Sequence, residues 1–502
     1  MDLWTILVTL LVGVVCIYLF KNVTWNHVHL KKLGVPHVKP LPLFGNMAGV
    51  VFRKKLLTDM MNEVYSANPE AKYLGLYDFG SPIILIKDPE LVKSIAIKNF
   101  DSFPDHKFFS DLTGETLFEK SLFSLKGDTW RRMRALLSPS FTSSKMKMMF
   151  KITSECSVDF GESIASLDPL PEAMDMKDVF GRYSIDVIAT TAFGLSINSI
   201  KNPDNEFYRM ATRLAFSNTR MSKYLLVKSF PWFARLINLK LLDVEATEYL
   251  ENVVRDAVAA RDERGIVRQD MLQLLIQARN EDSKISLTND DLIIQGFAFL
   301  VGGSDSPTMT MCFTAQLLAL NPDVQRKLQA EIDDVRGRNG GDVSYEELNA
   351  MKYMDAVVSE TLRLYPPAVA MDRVCVKSFT LPPPLPGAEP VEVKPGETLW
   401  IPVHSFHRDP KYFPDPDKFD PERFNDENKS GINPLTYLPF GIGPRMCIAN
   451  RFALMEVKLV LFHLLARCEL LPSSKTRSPI KLGARGLIVM PEEGFWLKIR
   501  VR

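Results

Sequence analysis

The chain has 502 residues, of which 46% are hydrophobic, so it is long enough to bury a large core. Its 61 lysines and arginines balance 60 aspartates and glutamates, and the net charge of +1 argues against a nucleic-acid partner. The six cysteines include no C-x-x-C pair, so they imply no disulfide framework and fit a reducing compartment.

The amino terminus is distinctive. An uncharged apolar run, Leu3–Phe20, is about the minimum length for a helix that spans a bilayer, and it predicts a transmembrane signal anchor over residues 1–21. A cleaved signal peptide is the alternative, but the run is preceded by Asp2 without a basic residue, and no small-x-small cleavage site follows. Lysines after the run place the body of the chain in the cytosol.

A proline-rich linker is predicted over residues 22–46, because prolines at this density fix φ and prevent a helix. Residues 47–502 are predicted to form a single large domain that is mainly α with small β-sheets. Short strands are expected at Ile83–Ile86 and in a hairpin-like tail, Ile480–Val501.

Helical periodicity dominates the middle of the chain. One segment, Asp290–Ala319, is apolar almost all round, which predicts a buried central helix. We also predict one helix over Val244–Arg264, one over Tyr345–Tyr365, and a final helix over Ile448–Ala466.

Trp130 and Arg134 stand four residues apart on a predicted helix. An indole N–H and a guanidinium on one helix face suit a carboxylate ligand. The alternative is an amphipathic helix with a solvated basic face.

The central helix contains two glycines followed by Asp305, Ser306 and Pro307. Glycines in a long apolar helix cost stability, so a structural or functional reason is expected. A buried acid followed by a hydroxyl suggests a proton relay. Pro307 lacks the N–H that would bond the carbonyl of Gly303, which predicts a pronounced kink. The alternative is a kinked core helix without chemistry.

Glu360 and Arg363 lie three residues apart in an apolar stretch, so the pair is expected to be buried. Buried charges need partners, and Arg423 is a candidate third member.

Cys447 ends a loop that is rich in glycine and proline, and an apolar helical run follows. Glycines let the backbone approach a flat ligand closely. Nearby N–H groups and the positive end of the following helix are expected to lower the thiol pKa. Such a thiolate can hold iron. The alternative is a buried structural cysteine in a turn.

Phe440, Gly443, Arg445 and Cys447 fill the pattern Phe-x-x-Gly-x-Arg-x-Cys, and with the other motifs in the same order the chain resembles the microsomal class of the cytochrome P450 superfamily. It looks closest to the insect and vertebrate branch that oxidises xenobiotics and steroids. The chain departs from the family pattern in three places, which are Ala449 for a usual glycine, Ser306 for a usual threonine, and Pro307.

The resemblance implies a cytochrome P450-type fold with heme b (iron protoporphyrin IX), held by Cys447 as the axial thiolate ligand of the iron. It implies that Asp305 and Ser306 are catalytic and guide protons to the oxygen. The heme-binding residues that it implies, besides Cys447, are Trp130, Arg134, Arg373, Phe440, Gly443, Arg445 and His106. The cluster of Glu360, Arg363 and Arg423 would support the scaffold.

The implied reaction inserts one atom of O2 into an apolar organic substrate of the xenobiotic, steroid or fatty-acid class. The chain has no dinucleotide-binding loop, so electrons are expected from another protein. The resemblance implies that this donor is NADPH–cytochrome P450 reductase, with cytochrome b5 as a further donor. The expected location is the endoplasmic reticulum membrane, with the catalytic domain facing the cytosol. Two alternatives remain, a heme-thiolate isomerase or dehydratase that acts on peroxides and a non-catalytic heme sensor.

Overall fold

In a computed structural model, the protein is described for residues 28–107, 115–215, 231–265, 270–280, 287–338, 340–483 and 489–502, and for isolated positions outside these ranges. Its helices in this part of the chain are α1 (His29–Lys32), α2 (Ala48–Val51), α3 (Leu57–Ser66), α4 (Pro89–Lys93), α5 (Thr116–Glu119), α6 (Gly127–Leu137), α7 (Ser143–Ala165), α8 (Met176–Ile188), α9 (Glu206–Leu214), α10 (Pro231–Leu236), α11 (Val244–Arg264), α12 (Met271–Asn280), α13 (Asn289–Leu320), α14 (Pro322–Arg338), α15 (Tyr345–Ala350), α16 (Lys352–Leu364), α17 (Val403–His407) and α18 (Asn450–Leu465).

The strands are short and form small sheets. They are β1 (Tyr73–Asp78), β2 (Ser81–Ile86), β3 (Met174–Asp175), β4 (Met371–Val374), β5 (Phe379–Leu381), β6 (Val391–Val393), β7 (Thr398–Ile401), β8 (Cys468–Pro472), β9 (Leu482–Gly483), β10 (Met490–Pro491) and β11 (Trp496–Val501). The predicted class, mainly α with small β-sheets, is therefore confirmed.

The chain forms two compact units. The first consists of Met1–Phe108, Val369–Tyr412 and Pro434–Arg445. Its main sheet has the order β1-β2-β7-β4, in which β2 and β7 are parallel and the other pairs are antiparallel. Side chains on both faces of this sheet are buried in two apolar clusters, so the sheet is the core of the first unit.

The second unit consists of Phe109–Ala368, Phe413–Asn433 and Met446–Arg502, and it is mostly helical. Its centre is α13, which has 32 residues and is buried over most of its length. The helix begins with a capping box, in which Thr288 and Asp291 each bond the other's backbone N–H. A three-stranded sheet, β3-β11-β8, belongs to the same unit.

Most predicted helices agree with the structure. The helix predicted over Val244–Arg264 has the predicted ends, because Asp243 caps its start and Gly265 adopts φ +62° after its last residue. The single helix predicted over Tyr345–Tyr365 is wrong, because Met351 adopts an extended conformation and separates α15 from α16. The central helix keeps its helical conformation through Pro307.

The predicted anchor, Leu3–Phe20, lies largely outside the described residues. Among the helices that the structure does describe, none is long and apolar enough to cross a membrane.

Candidate active site

Cys447 lies three residues before the start of α18, at the end of the glycine-rich loop. The residue keeps solvent exposure, which does not fit the alternative of a wholly buried structural cysteine, although enough protein surrounds the thiol to remove part of its hydration. Loss of hydration raises the pKa of the thiol, and this outweighs the backbone N–H of Ala449 and the charge of Arg134, which both lower it. The expected net lowering of the pKa is therefore wrong for the protein alone, although a nearby N–H donor is present as predicted.

Trp130 and Arg134 lie one turn apart on α6, as their spacing predicts. Trp130 is buried and Arg134 is half-buried. Burial lowers the pKa of the Arg134 guanidinium, and the neighbouring Cys447 acts in the opposite direction. Within the described parts of the chain, no carboxylate pairs with Arg134. A half-buried guanidinium beside a thiol is thus available to an acidic ligand.

Arg373, His106 and Asp372 form a cluster of titratable side chains. Arg373 is only 1% exposed. Its guanidinium donates to the carbonyls of Asp372 at 2.8 Å and Ile442 at 3.3 Å. Burial lowers the pKa of Arg373 to about 10. Its Nε is buried without a hydrogen-bond partner in the described structure, so this guanidinium keeps a donor that no described residue uses.

His106 lies in the same cluster. Its Nδ1 is 2.9 Å from the Asp372 carboxylate and 3.4 Å from Nη1 of Arg373. Burial lowers the pKa of His106, and the Asp372 carboxylate opposes this shift. The family resemblance assigned both His106 and Arg373 to heme binding, and the structure places these two residues in contact.

Arg445 is held by the segment that precedes His106. Its Nε donates to the carbonyl of Pro104 at 2.7 Å, and its Nη2 lies 3.5 Å from Oδ1 of Asp105. These contacts hold the Arg445 guanidinium in place. Arg445 precedes Cys447 by two residues in the sequence.

Gly443 and Phe440 shape the loop itself. Gly443 adopts φ +74°, and a Cβ at this position would overlap the carbonyl oxygen of Ala96. Both facts require glycine here. Phe440 is half-buried in the same loop.

Asp305 and Ser306 lie near the middle of α13. Asp305 is 7% exposed, and Ser306 is half-buried. The hydroxyl of Ser306 donates to the carbonyl of Gly302 at 2.8 Å, one turn earlier in the helix. An acid and a hydroxyl are thus adjacent in a buried helix, as the motif predicts.

The buried ion pair is also as predicted. Glu360 and Arg363 have fully buried side chains, and the guanidinium donates to both carboxylate oxygens, at 2.7 and 2.9 Å. Arg423 approaches the same carboxylate at 3.5 Å, and the N–H of Asp420 donates to it at 2.9 Å. Arg363 also donates to the carbonyl of Pro416. The cluster fastens α16 to the segment around Arg423.

Sequence reasoning missed a polar contact in the core. Ser184, on α8, and Glu456, on α18, are both fully buried, and their side-chain oxygens lie 2.6 Å apart. Burial raises the pKa of Glu456 to about 8. The only signal in the sequence is a single acid inside an otherwise apolar helical run, which is common. Asp372, the partner of His106, was missed because nothing in its local sequence distinguishes it.

Comparisons with known proteins agree with these motifs. The sequence model of the family described as Cytochrome P450 matches residues 35–499. Cytochrome P450 9e2 of Blattella germanica is 42% identical, over 100% of this chain and 98% of that protein. Probable cytochrome P450 9f2 of Drosophila melanogaster is 38% identical over 94% and 95%, and cytochrome P450 6j1 of Blattella germanica is 35% identical over 97% and 95%. The chain belongs to the cytochrome P450 family and is a monooxygenase whose cofactor is heme with a cysteine thiolate ligand.

Proposed function

We propose that Cys447 is the thiolate ligand and that this monooxygenase acts on apolar organic compounds of the xenobiotic, steroid or fatty-acid class. The observation that carries the proposal is an exposed cysteine residue, Cys447, beside a half-buried arginine, Arg134, that pairs with no described carboxylate. Electrons would come from NADPH–cytochrome P450 reductase, with cytochrome b5 as a further donor.

Each unit, taken by itself, carries residues that fit heme. A heme offers two acidic propionates and a flat apolar ring, and the protein offers Arg134 without a described carboxylate partner and Arg373 with an unsatisfied buried Nε. Trp130, Arg445 and His106 would add donors to the propionates. Phe440 and Gly443 would shape the loop so that Cys447 can face the iron. When bound, the heme supplies electron transfer and the activation of O2.

In this proposal, Asp305 and Ser306 handle protons. The hydroxyl of Ser306 is engaged by the carbonyl of Gly302, so its oxygen keeps lone pairs that can accept a hydrogen bond. Serine lacks the second Cβ substituent of threonine, so its hydroxyl can turn more easily away from the helix. Asp305 next to it would exchange protons with solvent as a general acid and base.

The carbon monoxide difference spectrum of the reduced protein tests the ligand. The parent is expected to show the Soret band of a thiolate-ligated heme, and Cys447→Ala is expected to lose that band. Cys468→Ala, which removes a buried cysteine from β8, is the matched control and should retain it. A thiolate spectrum in Cys447→Ala would overturn the assignment.

Turnover assays separate the alternatives. A monooxygenase of this kind should convert substrate only with NADPH and the reductase. Conversion of a peroxide without the reductase would favour the isomerase, and heme binding without turnover of any substrate would favour the sensor. A screen of fatty acids, steroids and plant or synthetic toxins for spectral shifts on binding would narrow the substrate class.

We further propose that the protein is anchored in the endoplasmic reticulum membrane by residues 1–21, with the remainder in the cytosol. The apolar run and the lysines after it support this orientation. Trp232 and Leu236 of α10 are 55% and 73% exposed, which suits a second contact with the bilayer surface. The full chain should stay with membranes after carbonate extraction, and a chain without residues 1–21 should be released. A chain that lacks residues 1–21 and also carries alanine at positions 232 and 236 should be released as well. If that chain stayed with the membranes, this account would be refuted.

A further inference from the structure

The backbone of α13 contains a carbonyl that its own helix cannot satisfy. In a regular helix the N–H of residue 307 would donate to the carbonyl of Gly303, but Pro307 has no N–H. The helix nevertheless continues on both sides of Pro307. Gly303 is half-buried, and a carbonyl that is withdrawn from water without a donor is costly, so a donor from outside the helix is expected.

Ser184 of α8 is in position to be that donor. Its hydroxyl oxygen lies 3.2 Å from the carbonyl oxygen of Gly303 and 3.3 Å from that of Ser304. The two helices approach closely at this point because residue 303 is glycine, and a Cβ there would lie only 2.5 Å from Cδ1 of Ile188. Ile188 and Ser184 are one turn apart on the same face of α8. Gly303 therefore permits the close approach of the two helices, and Ser184 supplies the hydrogen-bond donor.

Glu456 determines where the single hydroxyl hydrogen of Ser184 points. An ionised carboxylate 2.6 Å away would take that hydrogen, because a charged acceptor forms the stronger bond. A protonated carboxyl would instead donate to Ser184 and leave the hydrogen for the backbone carbonyls. Burial favours the protonated form, and Oε2 of Glu456 has no partner in the described structure that would stabilise a charge.

We propose that Ser184, supported by Glu456, is a positioning residue that replaces the missing N–H of Pro307 and so holds the turn of α13 that carries Asp305 and Ser306. This role rests on the proposed function only where it concerns the two proton-handling residues. The replacement of the backbone bond itself can be tested without turnover.

The test is a double-mutant cycle between Ser184→Ala and Pro307→Ala in the full heme-loaded protein. Alanine at position 307 restores the N–H, which can then donate to Gly303. In the parent, Ser184→Ala should raise the equilibrium constant for unfolding about tenfold. In the Pro307→Ala background, the same change should raise it less than about threefold.

A second measurement separates positioning from stability. Ser184→Ala should raise several-fold the share of NADPH electrons that ends in hydrogen peroxide. Adding Pro307→Ala to this variant should return much of that share to oxygenated product. The matched control is Ser157→Ala, another fully buried serine, whose hydroxyl bonds Tyr183 and the carbonyl of Thr153. It should destabilise the protein without changing the peroxide share.

Equal effects of Ser184→Ala on the unfolding constant in both backgrounds would overturn the proposal. A doubly substituted protein that fails to accumulate in folded form would do the same, because the restored N–H should make good the loss. If the unfolding cycle behaves as expected but the peroxide share does not change, the bond replacement stands and the proton-handling role of Asp305 and Ser306 fails. Carbon monoxide spectra of each variant report whether the thiolate ligand is intact.

Discussion

Glu456→Gln should change how the stability of this protein depends on pH. Glu456 is completely buried, and burial raises the pKa of its carboxyl from 4.5 to about 8. Because the pKa is higher in the folded protein than in the unfolded chain, the folded state holds the proton more tightly between these two values. Raising the pH through this interval therefore lowers the free energy of unfolding.

The size of the effect follows from the shift. Each pH unit inside the interval removes about 1.4 kcal/mol, so the full interval is worth on the order of 5 kcal/mol. Between about pH 5.5 and about pH 7.5, the parent should lose about 3 kcal/mol relative to Glu456→Gln. The glutamine stays neutral, and its amide can still donate to Ser184.

Urea unfolding of both proteins at a series of pH values measures this difference. Other buried groups that titrate, such as Asp186 with a pKa raised to about 6, are common to both proteins and cancel. Ser157→Ala is the control, since it removes a buried hydroxyl that does not titrate, and its difference from the parent should be the same at every pH. A difference between the parent and Glu456→Gln that stays constant within about 0.5 kcal/mol would refute the reasoning, because no proton would then be linked to folding.

Three further outcomes are expected. Arg363→Ala should lower the free energy of unfolding by roughly 3–5 kcal/mol, because it leaves the Glu360 carboxylate buried without its bidentate partner; denaturant midpoints would show this, and a loss below about 1 kcal/mol would contradict it. Gly443→Ala should not accumulate as folded protein, because its Cβ would overlap the carbonyl of Ala96 at a positive φ; normal yield by size-exclusion chromatography would be the contrary result. Arg134→Ala should release heme to an excess of a heme-accepting protein about tenfold faster than the parent, because a charge-assisted hydrogen bond is lost, whereas Arg134→Lys should fall between them; equal release rates would contradict the role.

The helices were largely predictable from the sequence, because their ends carry local signals. Asp243 and Gly265 mark the two ends of α11 with a side-chain cap and a left-handed residue. The separation of α15 from α16 carries no such signal, since Met351 is an ordinary helix former. The new start at α16 is capped by a tertiary contact, in which the Glu331 carboxylate of α14 accepts from the N–H groups of Tyr353 and Met354, and a single sequence does not display such a contact.

The candidate site was predictable in part. The helical spacing of Trp130 and Arg134 predicted that they share a helix face, and the glycine-rich loop singled out Cys447. Both signals are local in the sequence. The contact between His106 and Asp372 joins residues 266 positions apart, and it depends on the main sheet of the first unit. The direction of the thiol pKa was mispredicted for a related reason. Local donors can be counted from the sequence, but the amount of surrounding protein that removes hydration cannot.

Pro307 shows how local and tertiary information combine. Considered alone, a proline in the middle of a helix predicts a kink, and the missing hydrogen bond is a certain consequence of its chemistry. In our proposal the helix continues because Gly303 lets α8 come close enough for Ser184 to reach the carbonyl that Pro307 leaves without a donor. The departure from the family pattern at Pro307 is therefore tolerable only together with a hydroxyl on another helix and a neutral carboxyl behind it. A variant that keeps Pro307 but loses Ser184 should be worse than one that loses both, and this ordering distinguishes a compensated helix from one that merely contains a proline.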